Sequence, residues 1–274
     1  MDARASLFRN WRDSSLRAQG KEVGGTEQVQ VRPSGEGRGL GLFASRQFGV
    51  GECVLREGPL LRWSSNAGAA VAADADATPA QGTPDIFQLS AKWLEAQLAR
   101  LPAEDQSAYY GLSCRPDLLD KGQSLAIWVS NALPADEENE NGQTDTSAVY
   151  RVACRSNHAC GANCAHAWSR SRQQLTLHAV RPIAAGEELT INYLGGGNGA
   201  RARPERQAAL GGLGFCCACG VCALPPAEVA ESDARRARVA ALSELLQQEK
   251  GPQGARSYEE CAGTPLWGSE PRLA

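Results

Sequence analysis

The chain has 274 residues, enough for one sizeable domain or two small ones, and its 42% hydrophobic content is that of an ordinary folded protein. Its 28 basic and 31 acidic side chains leave a net charge of −3, which excludes an electrostatic trap for nucleic acid, so no direct nucleic-acid binding is expected. No apolar run reaches the length of a membrane span, and no membrane partner is expected.

Residues 1–27 read as an N-terminal arm in which Asp2, Arg4, Arg9, Arg12, Asp13 and Arg17 surround Leu7, Phe8 and Trp11. The apolar core of a secretory signal is missing and two aspartates argue against an organellar transit peptide, so the nucleus or cytoplasm is the expected compartment. A β-rich body over 28–195 opens with Val29–Val31, a turn cluster from Pro33 to Gly37, and the run Gly39-Leu40-Gly41-Leu42-Phe43-Ala44. A turn at Gly49–Gly51 leads to a strand Cys53–Glu57 that Gly58-Pro59 ends. Residues 63–85, rich in Ala, Asp, Thr and Pro, read as a linker.

A helical insert over 86–133 follows. Phe87, Ala91, Leu94, Leu98 and Leu101 mark one face of a helix capped by Asp85 and stopped by Pro102, with the apolar run Leu125–Val129 further on. Residues 134–147 form an acidic loop. Ala148–Val152, Leu175–Val180 and Glu188–Leu194 are apolar or alternating strand-like runs, and Gly195–Gly199 is a loop. Pro204–Leu210 is a short helix ended by Gly211 within a segment 196–222. A helix within 223–250 carries Val239, Leu242 and Leu246 on one stripe before a tail, 251–274. The fold class is mainly β with α insertions.

Ten cysteines fall unevenly. Without a secretory signal the compartment is expected to be reducing, so clustered cysteines read as metal ligands before disulfides. Cys53, Cys114, Cys154 and Cys261 are scattered and read as small hydrophobes. Cys217, Cys219 and Cys222 put three thiols within six residues, and a structural zinc site needs four ligands. The fourth must come from a distance. Cys160 is the best candidate; Cys216 is a neighbour able to exchange in, and Cys164 and His166 lie close enough in sequence to displace Cys160. A zinc ion there ties residue 160 to 217–222, holds the C-terminal flap to the body and adds folding free energy directly. A redox pair at Cys219 and Cys222 would need a βαβ context, which is absent from the pattern.

The order Gly39–Ala44, then Asn157-His158-Ala159-Cys160-Gly161-Ala162-Asn163, then Gly186-Glu187-Glu188-Leu189-Thr190-Ile191-Asn192-Tyr193, then Phe215–Cys222 resembles the SET-domain protein-lysine methyltransferases. It is similar to the SMYD-like branch common in fungi, without the MYND finger. The likeness covers 28–62 and 86–246. Each motif alone is weak; four in one order are strong together. The resemblance implies a SET-domain fold of small curved β-sheets, with the helical insert, a zinc-bound post-SET cap and a C-terminal helix, and with the 157–163 segment threaded in a pseudoknot beside the strand bearing Tyr193. It also implies S-adenosylmethionine as cofactor and a protein substrate presenting a lysine. A monomer is expected.

The resemblance assigns cofactor contacts to Gly39, Leu40, Gly41, Leu42, Asn131, Asn157, His158, Tyr193 and Phe215. Gly39 and Gly41 would allow close backbone approach and Phe215 would stack on the adenine. It makes Tyr193 the catalytic residue, orienting the amine and lining its channel, with Tyr150 as a further channel wall. Methyl transfer to an amine needs an in-line approach and a neutral lysine more than covalent help from the protein. Ala159 and Ala162 depart from the family's usual Ser and Pro, which favours as an alternative a zinc-stabilised interaction module that lost catalysis. His178 reads as structural, Glu187 and Glu188 as opposite faces of a strand, and Arg235, Arg236 and Arg238 as a solvated helix face.

Overall fold

A computed structural model of the chain describes residues 27–35, 38–64, 91–136, 146–195 and 201–250, with backbone alone for 243–250. The expected N-terminal arm before residue 27, the linker from residue 65, Asp85 and Phe87, the acidic loop over 137–145, the glycine loop over 196–199, the tail 251–274 and Cys261 lie outside the described residues.

In chain order the strands are β1 (Val29–Pro33), β2 (Leu40–Ala44), β3 (Cys53–Glu57), β4 (Leu61–Ser64), β5 (Leu133–Pro134), β6 (Thr146–Val149), β7 (Asn157–His158), β8 (Cys164–Ser169), β9 (Gln174–Ala179) and β10 (Glu188–Ile191). They form three small sheets, ordered β1-β2-β10-β7, β3-β9-β8 and β4-β6-β5. The β1–β2 hairpin is closed by the Ser34 amide on the Gly39 carbonyl at 2.8 Å. Gly39 has φ of 70°, a left-handed conformation that glycine adopts without Cβ strain. All pairings are antiparallel except β10 with β7, which run parallel through Thr190↔Asn157 and Ile191↔His158.

Period-two alternation builds the main core. Leu175, Leu177 and Ala179 of β9, Leu189 and Ile191 of β10, and Leu42 and Ala44 of β2 point inward onto Phe48, Tyr150 and Ile183. Cys164 belongs to this core.

A second cluster belongs to the helical insert, made of α1 (Ala91–Leu98), α2 (Ala103–Tyr110), a 3-10 helix (Pro116–Lys121) and α3 (Gln123–Asn131). Leu94 and Leu98 are buried, with Ala91 and Leu101 packed alongside, so the described part of the expected stripe does face the core. The apolar run 125–129 lies in α3, with Trp128 buried among these residues.

A third, smaller cluster joins α4 (Arg203–Gly212) to Cys160, Cys217 and Cys222 around Leu194 and Leu210. The last helix, α5, spans Pro226–Lys250.

Three expectations change. The strand ends at Ile191 instead of Leu194: the Asn192 side-chain oxygen accepts the Leu194 amide at 3.0 Å and turns the chain. Val239 and Leu242 of α5 are exposed, so that part of the stripe does not enter the core, and the Leu246 side chain is not described. The basic face of α5 is only partly solvated. Arg235 pairs with Glu231 at 2.6 Å in an i,i+4 contact, but Arg236 reaches the Cys160 carbonyl at 3.0 Å.

Candidate functional site

The site is built on residues 152–163, which cross between two sheets. The half-buried Glu57 carboxylate receives the amides of Val152 at 2.9 Å and Ala153 at 2.7 Å, starting the 3-10 turn Ala153–Arg155. Burial raises the Glu57 pKa above its ordinary value, against the lowering effect of these amides. After β7, Asn163 is held by four side-chain hydrogen bonds. Its Nδ2 donates to the Glu187 carboxylate at 2.9 Å and the Glu188 carbonyl at 2.8 Å; its Oδ1 accepts the Thr190 amide at 2.8 Å and the Thr190 hydroxyl at 3.2 Å. One buried amide thus fastens the segment along β10.

Asn157 fastens it to β2. Its Nδ2 donates to the Leu40 carbonyl at 3.2 Å and to Glu188 at 2.8 Å. Glu188 also accepts the Ser34 hydroxyl at 2.5 Å and faces Arg38 at 3.2 Å. Gly41 lies under this knot: a Cβ there would sit 2.6 Å from the Glu188 carboxylate, 2.8 Å from Ser34 Cβ and 3.0 Å from Asn157 Nδ2. The space its missing side chain leaves is therefore taken by protein atoms.

Tyr193 leaves the end of β10 and is held at both ends by the crossing segment. Its hydroxyl donates to the Ser156 carbonyl at 2.7 Å, and its amide donates to His158 Nδ1 at 3.0 Å. The rings of His158, Tyr193 and Phe215 meet with centroids 5.4, 5.9 and 6.2 Å apart. Tyr193 keeps 39% of its surface exposed. Burial lowers the His158 pKa to about 4, so the ring is neutral at neutral pH. Nε of Arg155 and Oγ of Ser156, both buried, have no hydrogen-bond partner among the described residues.

Below the aromatic group, the sulfurs of Cys160, Cys217, Cys219 and Cys222 all lie within 4.8 Å of one another. Cys160 Sγ is 3.9 Å from Cys217 Sγ and 3.5 Å from Cys222 Sγ. Zinc–sulfur bonds of about 2.3 Å in a tetrahedron put sulfurs roughly 3.8 Å apart, so this donor set has the spacing and the thiol chemistry of a structural zinc site. Hydrogen bonds from the Cys160 and Cys217 thiols hold the Cys219 pKa far down; the Cys160 pKa is pushed up by Cys217, then by Cys219. Bound to a metal, the four would sit as thiolates, and none of the four is exposed.

The surroundings fit that charge. The Arg206 guanidinium, 1% exposed, favours the charged form of Cys160 and pairs with Asp233 of α5 at 3.1 Å. Gln207 grips Cys217 from both sides, donating to its carbonyl at 2.7 Å and accepting its amide at 3.0 Å. Bonds of this kind orient the ligands of a metal.

The structure therefore brings together Leu40, Gly41, Asn157, His158, Tyr193, Phe215, Cys160, Cys217, Cys219 and Cys222. Cys160 is the fourth sulfur among the described residues. Cys164 lies in the main core, His166 is outside the group, and Cys216 is exposed with its thiol on Gln207 at 3.3 Å. Leu42 is fully buried in the core. Asn131, at the end of α3, uses its Nδ2 on the carbonyls of Ser113 and Ile127, both at 2.7 Å, and its carbonyl accepts the Cys154 thiol at 3.1 Å. Tyr150 is fully buried in the core, its hydroxyl without a partner among the described residues. Sequence reasoning did not single out Ser156, Asn163, Arg206 or Gln207, and it read Arg236 only as part of a solvated helix face. Asn163 stands inside the quoted motif; the others carry no periodic or spacing signal.

The SET domain profile matches residues 39–194 of the chain. The histone-lysine N-methyltransferase set5 of Schizosaccharomyces pombe is 30% identical over 218 residues, covering 78% of this chain and 57% of that protein, so the chain spans little more than half of this relative. Among solved structures, the SET domain of LSMT bound to lysine and AdoHcy aligns with a TM-score of 0.33 and 14% identity over 69% of this chain and 54% of that one. An active polycomb repressive complex 2 in the stimulated state aligns with a TM-score of 0.31 and 18% identity over 60% of this chain and 15% of that one.

Proposed function

This chain belongs to the SET-domain family, and on that premise we propose that it is an S-adenosylmethionine-dependent protein-lysine N-methyltransferase with a zinc-bound post-SET cap. The observation that carries the reading is the two-ended grip on Tyr193: hydroxyl on the Ser156 carbonyl, amide on the His158 ring.

When bound, S-adenosylmethionine supplies an electrophilic methyl group on a sulfonium. The protein's part is to deliver a neutral amine. A lysine with a pKa of about 10.4 in water loses its proton more readily as apolar walls replace solvent. The Tyr193 hydroxyl gives its hydrogen to Ser156, so its oxygen keeps lone pairs with which to accept a hydrogen bond from the amine and aim the amine's own lone pair. The rings of Phe215 and His158 pack against the Tyr193 ring. Cys160, Cys217, Cys219 and Cys222 would hold the zinc, which fixes the Phe215–Cys222 segment over the crossing segment.

The departures at Ala159 and Ala162 remove no group used here: Ala159 contributes its amide, bonded to the Ile191 carbonyl at 3.1 Å, and the segment is held by Asn157 and Asn163. The reading carries with it a protein substrate presenting a lysine, a monomeric enzyme and a nuclear or cytoplasmic location. The name of the fission-yeast relative makes histones the first substrates to assay.

The test is calorimetric titration of the zinc-loaded protein with S-adenosylhomocysteine, followed by methyl transfer from labelled cofactor to histones and to whole-proteome protein. One-site binding is expected for wild type and Tyr193→Phe alike, with transfer lowered at least roughly 100-fold in the variant. No binding by the folded, metal-loaded protein, or equal rates for the two proteins, would overturn the assignment.

A further inference from the structure

On the reading just given, we infer that the His158 side chain is a positioning residue that ties the metal centre to the backbone of Tyr193. A backbone amide can only donate, so the His158 Nδ1 that lies 3.0 Å from the Tyr193 nitrogen must present a lone pair. A neutral imidazole then carries its hydrogen on Nε2. That nitrogen lies 3.4 Å from Cys160 Sγ, one of the four clustered sulfurs, and a metal-bound thiolate can only accept. Both nitrogens are therefore engaged, in a ring that is only 6% exposed.

The bridge is short and has little freedom. The His158 backbone is paired with Ile191 of β10, and the next amide, that of Ala159, bonds to the Ile191 carbonyl. The ring packs against the rings of Tyr193 and Phe215. At the far end, Tyr193 lies beyond the last residue of β10, and its amide donates to the imidazole. A metal that fixes the Cys160 sulfur would thereby fix the ring, and the ring the start of the residue whose hydroxyl Ser156 orients. On this account the metal sets the geometry of Tyr193 as well as closing the cap.

Only three histidines occur in the chain, which makes the ring nitrogens readable by magnetic resonance. Long-range proton–nitrogen spectra of histidine-labelled, zinc-loaded protein should show His158 as one fixed neutral form with the hydrogen on Nε2. Replacing zinc by spin-active cadmium should split that Nε2–H signal through the Cys160 sulfur. Neither measurement needs turnover. In the kinetic arm, His158→Phe should keep one metal per chain yet lose roughly tenfold in kcat, and His158→Asn, whose side-chain oxygen can replace Nδ1 as acceptor, should recover part of it. A hydrogen on Nδ1, averaging between the two neutral forms, or a metal-loaded His158→Phe with wild-type kcat would overturn the proposal. The expected spectra from a wild-type protein that transfers no methyl group would uphold the bridge and refute the methyltransferase reading instead.

Discussion

Replacing Asn163 by Ala tests how the crossing segment is held. The side chain is 1% exposed and makes four hydrogen bonds, two of them to backbone groups of β10, the Glu188 carbonyl and the Thr190 amide. A hydrogen bond in a folded protein contributes about 0.5–1.5 kcal/mol net, and a buried group left without its partner costs about 1–3 kcal/mol. Four bonds at the middle of that range give a loss of about 4 kcal/mol, a large share of a typical total stability of about 5–15 kcal/mol. Urea unfolding of the zinc-loaded protein should show the midpoint falling with the m-value unchanged. A loss under about 1 kcal/mol would refute the view that this amide fastens the segment to β10.

Asn163→Asp adds a second arm. It keeps the two acceptor bonds but sets a carboxylate against the Glu187 carboxylate and the Glu188 carbonyl. Its folded-state pKa is then raised above the unfolded value of about 3.9, so the protonated form is favoured in the fold. The deficit is smallest below that pH and grows as pH rises through the folded value.

Cys160→Ser should lose the bound metal by elemental analysis and unfold at lower temperature, while Cys216→Ser, whose sulfur lies outside the cluster, should keep one zinc per chain. Glu57 has its pKa raised from 4.5 by burial, so the folded protein binds this proton more readily than the unfolded chain, and its contribution to stability declines as pH rises above 4.5. Glu57→Gln should abolish that decline in a stability–pH series, while losing about 1–2 kcal/mol where its NH2 group meets the Val152 amide. Gly41→Ala should destabilise by about 1–3 kcal/mol in the same urea assay, because its Cβ has no room beside Glu188 and Ser34.

What was legible in the sequence is what repeats or what spacing alone constrains. The alternation of 175–179 predicts β9 nearly to its ends, and the stripe at Ala91, Leu94, Leu98 and Leu101 predicts the buried face of α1. Three cysteines within six residues call for a fourth ligand in a zinc site, and the structure brings the Cys160 sulfur to the other three. Single tertiary bonds leave no such pattern. Nothing in the run around Arg236 distinguishes it from Arg235, yet one reaches the Cys160 carbonyl and the other pairs at the surface. Gln207 and Arg206 are ordinary helix residues until α4 is docked on the cysteines. The reach of β10 was overestimated because Asn192 and Tyr193 are acceptable strand residues. What ends the strand is a local side-chain turn and a ring nitrogen contributed by another segment.

The insertion of a helical unit between the two halves of the β body has a consequence for how the chain folds. Ser34 and Glu188, which meet in the central knot, are 154 residues apart. During synthesis the first hairpin emerges with one edge of β2 bare, and its partner β10 is made only after the whole insert. The insert's cluster, from Leu94 to Trp128, is local and needs much less of the chain to assemble. Contacts of long sequence separation form slowly because loop closure must precede them. Refolding should therefore show early helix formation in the insert and a later, slower step in which the sheets close, with the 157–163 segment among the last parts to be locked.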